Sequence, residues 1–227
     1  MKLSVVVPVY NEAGTIERIL RIIQSIPVSK EIIVIDDGSV DGTREVLKQK
    51  FSNDSAFHVI FHEKNYGKGR AIRTGIAAAA GDAVIIQDAD LEYDPNDYIP
   101  LLAVLEREGS DVVYGSRFLG KKRVTAVWHQ AVNQFLTQLT NLLFGSRLTD
   151  METCYKLFRT DFLKSLPLKT DGFEIEVELT TSVLKKYKNI TEIPISYKGR
   201  AFHEGKKIGW RDGVKAVWMI FYYRFFA

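Results

Sequence analysis

Four short apolar runs decide what this chain can become. Leu3 to Val9, Ile32 to Ile35, Val84 to Ile86 and Val112 to Tyr114 are β-branched and almost free of polar residues, the pattern of strands buried on both faces. Helical spacing separates them: Ile16, Ile19, Leu20 and Ile23, then Val46 and Leu47, then Ile72 to Ala80, then Leu101 to Leu105. This alternation predicts an α/β fold with a mostly parallel central sheet and helices on both faces. In such sheets ligands bind beyond the carboxyl ends of the strands, so the residues after each run are the ones to inspect.

The 227 residues suit one folding unit spanning 1–227. Lys and Arg number 31 against 28 Asp and Glu, and a net charge of +3 is too mild for a nucleic-acid partner. Cys154 is the only cysteine, so no intramolecular disulfide or Cys-rich zinc site forms and a reducing, cytoplasmic location is expected. The N-terminus lacks the features of an export signal. The longest apolar run, Ala216 to Tyr223, is too short to span a bilayer, which takes roughly 18 residues. Two amphipathic helices are expected over 124–145 and 210–226, a further long helix over Glu174 to Lys186, and a short strand over Ile190 to Ile193. The two amphipathic segments suit peripheral membrane contact, a membrane-protein partner, a homodimer, or simple packing on the sheet.

Carboxylates dominate the strand ends. Asp88, Asp90 and Glu92 come after the third run; if the backbone stays extended their side chains share one face. Two carboxylates about 5 Å apart repel by about 3 kcal/mol at an effective dielectric near 20, so a positive group should lie among them. A hard divalent cation gripping a diphosphate fits that requirement, and solvated loop carboxylates are the plainer alternative. Asp36 and Asp37 end the second run, where a carboxylate can accept from a ribose or base and Gly38 permits close backbone approach. Asp41 reads as a helix N-cap. Pro8, Tyr10 and Glu12 end the first run and offer a ring to stack a base and an acceptor beside it. Arg117 comes after the fourth run and can fork onto phosphate oxygens, and the glycine-punctuated basic stretch Lys198 to Lys207 suits an anion clamp. Gly67-Lys68-Gly69-Arg70 lacks the third glycine of a dinucleotide fingerprint, and no P-loop is present. His58, His62 and His129 show no metal-ligand spacing.

Pro8-x-Tyr10-Asn11-Glu12, Asp36-Asp37-Gly38-Ser39, Asp88-Ala89-Asp90, Gly115-Ser116-Arg117 and the late Arg200 to Lys206 stretch occur in one order across nearly the whole chain. In this the sequence resembles the family-2 glycosyltransferases, particularly dolichyl- and polyprenyl-phosphate hexosyltransferases. The resemblance implies a GT-A fold and an inverting transfer of a hexose from a GDP- or UDP-linked sugar, GDP-mannose or UDP-glucose in type, to a polyprenyl phosphate, assisted by Mg²⁺ or Mn²⁺. It implies that Pro8, Tyr10, Glu12, Ile35 and Asp37 hold the nucleoside, and that Asp88, Ala89 and Asp90 line the diphosphate. Asp90 and Glu92, with Asp88 beside them, would hold the metal, and Arg117, Arg200 and Lys206 would meet phosphate. Asp150 corresponds to an acidic residue near the acceptor and is the one candidate base, a loop cap being the alternative. A soluble glycan or protein acceptor, and a non-catalytic nucleotide-sugar-binding subunit of a membrane complex, remain open.

Overall fold

The computed structural model describes residues 1–120, 127–187, 189–199 and 210–226. Their strands are β1 (Leu3–Val9), β2 (Lys30–Asp36), β3 (Phe57–Phe61), β4 (Ala83–Ile86), β5 (Val112–Ser116), β6 (Lys156–Arg159) and β7 (Thr191–Pro194). The helices are α1 (Ile16–Ser25), α2 (Thr43–Lys50), α3 (Lys68–Ala78), α4 (Tyr98–Glu108), α5 (Val127–Phe144), α6 (Thr160–Lys164), α7 (Ile175–Lys186) and α8 (Trp210–Phe225). All seven strands form one sheet in the order β3-β2-β1-β4-β6-β5-β7. Every neighbouring pair is parallel except the two that involve β6.

The apolar runs become strands because they are covered on both faces. Every residue of β1 is buried, and Ile16, Ile19, Leu20 and Ile23 of α1 are buried with them. The sheet packs so closely on α3 that a Cβ at Gly75 would collide with Val6 Cγ1 and lie 2.8 Å from Ile35 Cδ1. The expected strands and helices are present among the described residues, 124–126 at the start of the expected helix 124–145 lying outside them. The additions are α6, β3, whose outer half is only half-buried, and β6, which opens with the charge of Lys156.

Strand order reverses at β1, with β2 and β3 to one side and β4 to the other. That is where a doubly wound sheet opens a crevice at its carboxyl edge. Antiparallel β6 arrives at this edge with its beginning, since Ile85 faces Leu157 and Tyr114 faces Lys156. One edge thus carries, in order, Asp36–Asp37, Val9–Glu12, Gln87–Glu92, the turn 149–155, Arg117 and, past β7, Tyr197.

Two helices depart from their sequence patterns. Asp41 is not the N-cap of α2: Gly42 holds that position, while the Asp41 carboxylate accepts from Thr43 N, Thr43 Oγ1 and Ala13 N. On α5 part of the polar face turns inward. Thr137 and Thr140 are buried and bond the backbone N–H and sulfur of Met151, while Phe135 and Leu142 face outward, Leu142 at 81% exposure. Helix α8 packs on α5 and α7 through Ala216, Ile220 and Tyr223 and exposes Trp218, Phe225 and Phe226. Tyr223 Oη donates to Glu178 Oε1 at 2.6 Å, fastening α8 to α7. Among the described residues no helix is long and apolar enough to cross a membrane. The basic stretch 200–209 lies outside the described residues.

Gly75→Ala should overpack the α3–sheet contact and lower stability by about 1–3 kcal/mol, read as a shift in urea midpoint with the slope unchanged.

Candidate functional site

Gln87 anchors the loop after β4. It is fully buried; the hydroxyls of Tyr98 and Tyr155 both donate to its Oε1 at 2.6 Å, and its Nε2 donates to Asp88 O at 2.8 Å. Tyr93 packs on Tyr155 with ring centroids 4.7 Å apart. From this anchor the chain does not stay extended. Residues 89–90 turn, Leu91 has φ 63°, and Glu92 N donates to Asp90 Oδ1 at 3.2 Å. The shared face expected of Asp88, Asp90 and Glu92 is therefore lost: among the described residues no group of three His, Cys, Asp or Glu side chains is gathered for a metal.

The positive partner expected among them exists at Asp88, and it is a lysine. Lys68 Nζ lies 2.8 Å from Asp88 Oδ1. Asp90 and Glu92 instead line a cavity of about 1040 Å³ bounded also by Thr15, Arg18, Tyr93 and Tyr197. Hard carboxylate oxygens on a cavity wall suit Mg²⁺ or Mn²⁺, which take one or two protein carboxylates and fill the remaining positions with water and phosphate. The donor set fits such an ion without Asp88. Glu92 Oε2 accepts from Tyr197 Oη at 2.5 Å, and the Tyr197 ring lies 5.2 Å beneath the Arg117 guanidinium.

Arg117 does not present its fork to the cavity. Its Nε and Nη2 each donate at 2.7 Å to Asp150, whose Oδ2 also accepts from Arg117 N. Burial opposes the Arg117 charge, but Asp150 more than offsets it and holds the guanidinium firmly protonated. Asp150 is 0% exposed, and Glu192 fixes its turn by accepting from the N–H groups of Thr149 and Asp150. Both Asp150 oxygens are thus taken up by Arg117 in a spot sealed from water, and in this arrangement Asp150 orients Arg117.

The first two strand ends are also drawn together. Pro8 and Ile35 are register partners, and Tyr10 and Glu12 are half-buried just beyond. Asn11, with φ 52°, accepts from Val40 N through its side chain, and its own N–H donates to Ser39 Oγ, tying the two ends. Asn11 and Leu91 are the non-glycine residues with positive φ among the described residues, and both lie in loops flanking the strand-order reversal, where such backbone marks functional geometry. The Asp37 carboxylate accepts from Tyr66 N and Gly67 N and meets His62 Nδ1 at 2.7 Å, so it fastens the loop that begins α3 to the end of β2. The close approach at Gly38 is likewise internal, for a Cβ there would strike the Lys64–Asn65 backbone. Ala89 is buried in the turn. Arg200 and Lys206 lie outside the described residues.

Glycosyl transferase family 2 matches residues 4–166. The chain belongs to that family. It is 29% identical over 215 residues to dolichol-phosphate mannosyltransferase of Pyrococcus furiosus, an alignment covering 92% of this chain and 60% of the relative. It is 28% identical over 211 residues to undecaprenyl-phosphate 4-deoxy-4-formamido-L-arabinose transferase of Salmonella choleraesuis, covering 90% and 62%. The chain thus spans about 60% of the length of these curated relatives. Its fold is GT-A: glucosyl-3-phosphoglycerate synthase of Mycobacterium tuberculosis superposes with a TM-score of 0.71 at 25% identity, covering 98% of this chain and 80% of the other. A complex of that synthase with Mn²⁺, UDP and glucosyl-3-phosphoglycerate gives 0.69 at 23% identity, covering 98% and 79%.

Sequence reasoning did not single out Lys68 as the partner of Asp88, and it passed over Tyr197, Glu176, Lys156 and Glu152. The strand-end rule, extended to β7, points to Tyr197; a lone lysine inside Cys154-Tyr155-Lys156-Leu157-Phe158 is the signal for Lys156. Glu152 lies two residues beyond Asp150 with Oε1 buried and without a hydrogen bond among the described residues. Burial raises its carboxyl to about 7, against the pull of Lys156. Burial also pushes the Cys154 thiol up, which makes it inert.

Asp150→Asn should leave the Arg117 charge buried and uncompensated, costing about 3–5 kcal/mol in chemical denaturation. A carboxyl raised from 4.5 to about 7 in the folded state makes the fold lose stability as pH rises through that window. Glu152→Gln should therefore be more stable than the parent at pH 8 and lose that advantage at pH 4, as read from urea midpoints.

Proposed function

We propose that this glycosyltransferase moves a hexose from a nucleotide sugar, of the GDP-mannose or UDP-glucose type, onto a polyprenyl or dolichyl phosphate. The transfer is a divalent-cation-dependent, in-line displacement that inverts the anomeric carbon. Pro8, Tyr10, Glu12 and Ile35 flank the nucleoside at the ends of β1 and β2, and the Asp88–Asp90 turn faces the diphosphate. Asp90 and Glu92 hold Mg²⁺ or Mn²⁺. The ion supplies neutralisation of the charge that collects on the departing diphosphate. Arg200 and Lys206 add positive charge toward phosphate, and Arg117, held by Asp150, backs the ring of Tyr197.

The observation that carries this reading is the sealed Asp150–Arg117 pair beside the cavity. A hydroxyl acceptor needs a base, and Asp150 is taken; a phosphate monoester, with a second pKa near 6, is already largely ionised at pH 7 and needs none. The outward apolar residues of α5 and α8 suit the surface of the membrane in which such an acceptor is dissolved. The names of the two relatives, one a dolichol-phosphate and one an undecaprenyl-phosphate transferase, agree with it.

The test is transfer of radiolabelled sugar from GDP-mannose or UDP-glucose to a polyprenyl phosphate in vesicles with Mg²⁺. Label should enter the lipid phase, EDTA should stop it, and Asp90→Asn should lower the rate about 10²-fold or more. Label appearing only in a water-soluble glycan or protein would replace the lipid acceptor, and neither transfer nor donor hydrolysis would leave a binding subunit.

A further inference from the structure

Behind the acidic turn lies a row of charges that alternate in sign. Asp88 Oδ1 is 2.8 Å from Lys68 Nζ, Lys68 Nζ is 3.3 Å from Glu176 Oε1, and Glu176 Oε2 contacts Lys156 Nζ. Lys156 is 0% exposed and also donates to Thr153 O at 2.7 Å. The row runs from the end of β4, through the first turns of α3 and α7, to the 149–156 segment that carries Asp150 and Glu152. Both helix starts are firmly placed. Asp37 holds Gly67, and Gly69 N donates to Asp171 O at 2.8 Å.

A purely structural quartet would close on itself, because half-satisfied buried polar networks are costly. This one closes loosely, for Glu176 Oε1 meets Lys68 as an ion pair at 3.3 Å and not as a hydrogen bond. Glu176 Oε1 and Glu152 Oε1 are both buried and lack a hydrogen bond among the described residues. A second arrangement would satisfy both: Lys68 fully on Glu176 Oε1, from which it already lies 3.3 Å, and Lys156 on Glu152, whose carboxyl already feels its charge. What that arrangement lacks is a partner for Asp88.

We propose that Lys68, Glu176 and Lys156 are positioning residues forming a relay, through which a ligand that engages Asp88 resets the charge partners of the acceptor-side turn. The proposal rests on the reading that a nucleoside diphosphate binds at the end of β4. A hydroxyl of the donor that donates to Asp88 supplies the missing partner, Lys68 turns from Asp88 to Glu176, and Lys156 is delivered to Glu152, so that the acceptor side is completed only once the donor is bound.

The decisive measurement uses the unaltered chain with ¹⁵N-labelled lysine, assigned with Lys68→Arg and Lys156→Arg, and the probes Mg²⁺ with UDP and Mg²⁺ with GDP. Both the Lys68 and Lys156 Nζ resonances should move when nucleotide binds. A Lys156 signal that stays still while nucleotide binds overturns the relay alone, and a chain that binds neither nucleotide overturns the functional reading beneath it. Calorimetry gives a second check. Glu176→Gln, which keeps the side-chain shape, should weaken nucleotide binding about tenfold, and Asp88→Asn combined with it should lose about tenfold less than the product of the single losses. Independent losses that simply multiply overturn the coupling.

Discussion

The carboxamide of Gln87 is the point on which the site stands. Two tyrosine hydroxyls converge on its oxygen and its nitrogen grips the next carbonyl, so the end of a central strand is fixed before the chain leaves the sheet. Gln87 N also donates to Val6 O at 2.9 Å, which sets the register of β4 against β1. Because that end is immobile, the next residues can adopt the positive φ of Leu91, a conformation costing of order 1–3 kcal/mol. The turn then sends consecutive carboxylates to different partners, Asp88 toward a lysine and Asp90 and Glu92 toward the cavity. Charge separation along this short stretch is thereby achieved by backbone, and the tyrosine cluster supplies the rigidity it requires.

Much of the fold was legible from the sequence because burial on both faces leaves a plain mark. Leu3–Val9 coincides with β1 residue for residue, and α7 begins one residue from its expected start. The less visible strands are those that lack the mark. β3 is half-covered, and β6 opens with the charge of Lys156. That charge is tolerated because Glu176 meets it across the core. The inward turn of Thr137 and Thr140 escaped periodicity for a related reason: these hydroxyls satisfy atoms of Met151, and a polar side chain with a partner packs as well as an apolar one.

The site was legible in its location but less so in its pairing. Strand ends correctly marked Asp37, Asp88, Arg117 and the acidic turn as neighbours on one edge. What spacing could not convey is which of these charges already have partners within the chain. Asp37 is claimed by backbone N–H groups of the loop before α3, Arg117 by Asp150, and Asp88 by Lys68, and all three claims join residues from different elements that no local pattern links.

The reversed direction of β6 has an architectural consequence. A strand running against its neighbours presents its beginning at the edge where the others present their ends. The segment between β5 and β6 therefore departs from this edge and comes back to it, forming a closed excursion whose two ends are pinned by Arg117 and Asp150. Because Arg117 and Asp150 clasp the two ends of that segment, a change of length or sequence between them can be absorbed there without disturbing the half of the sheet built from β1 to β4.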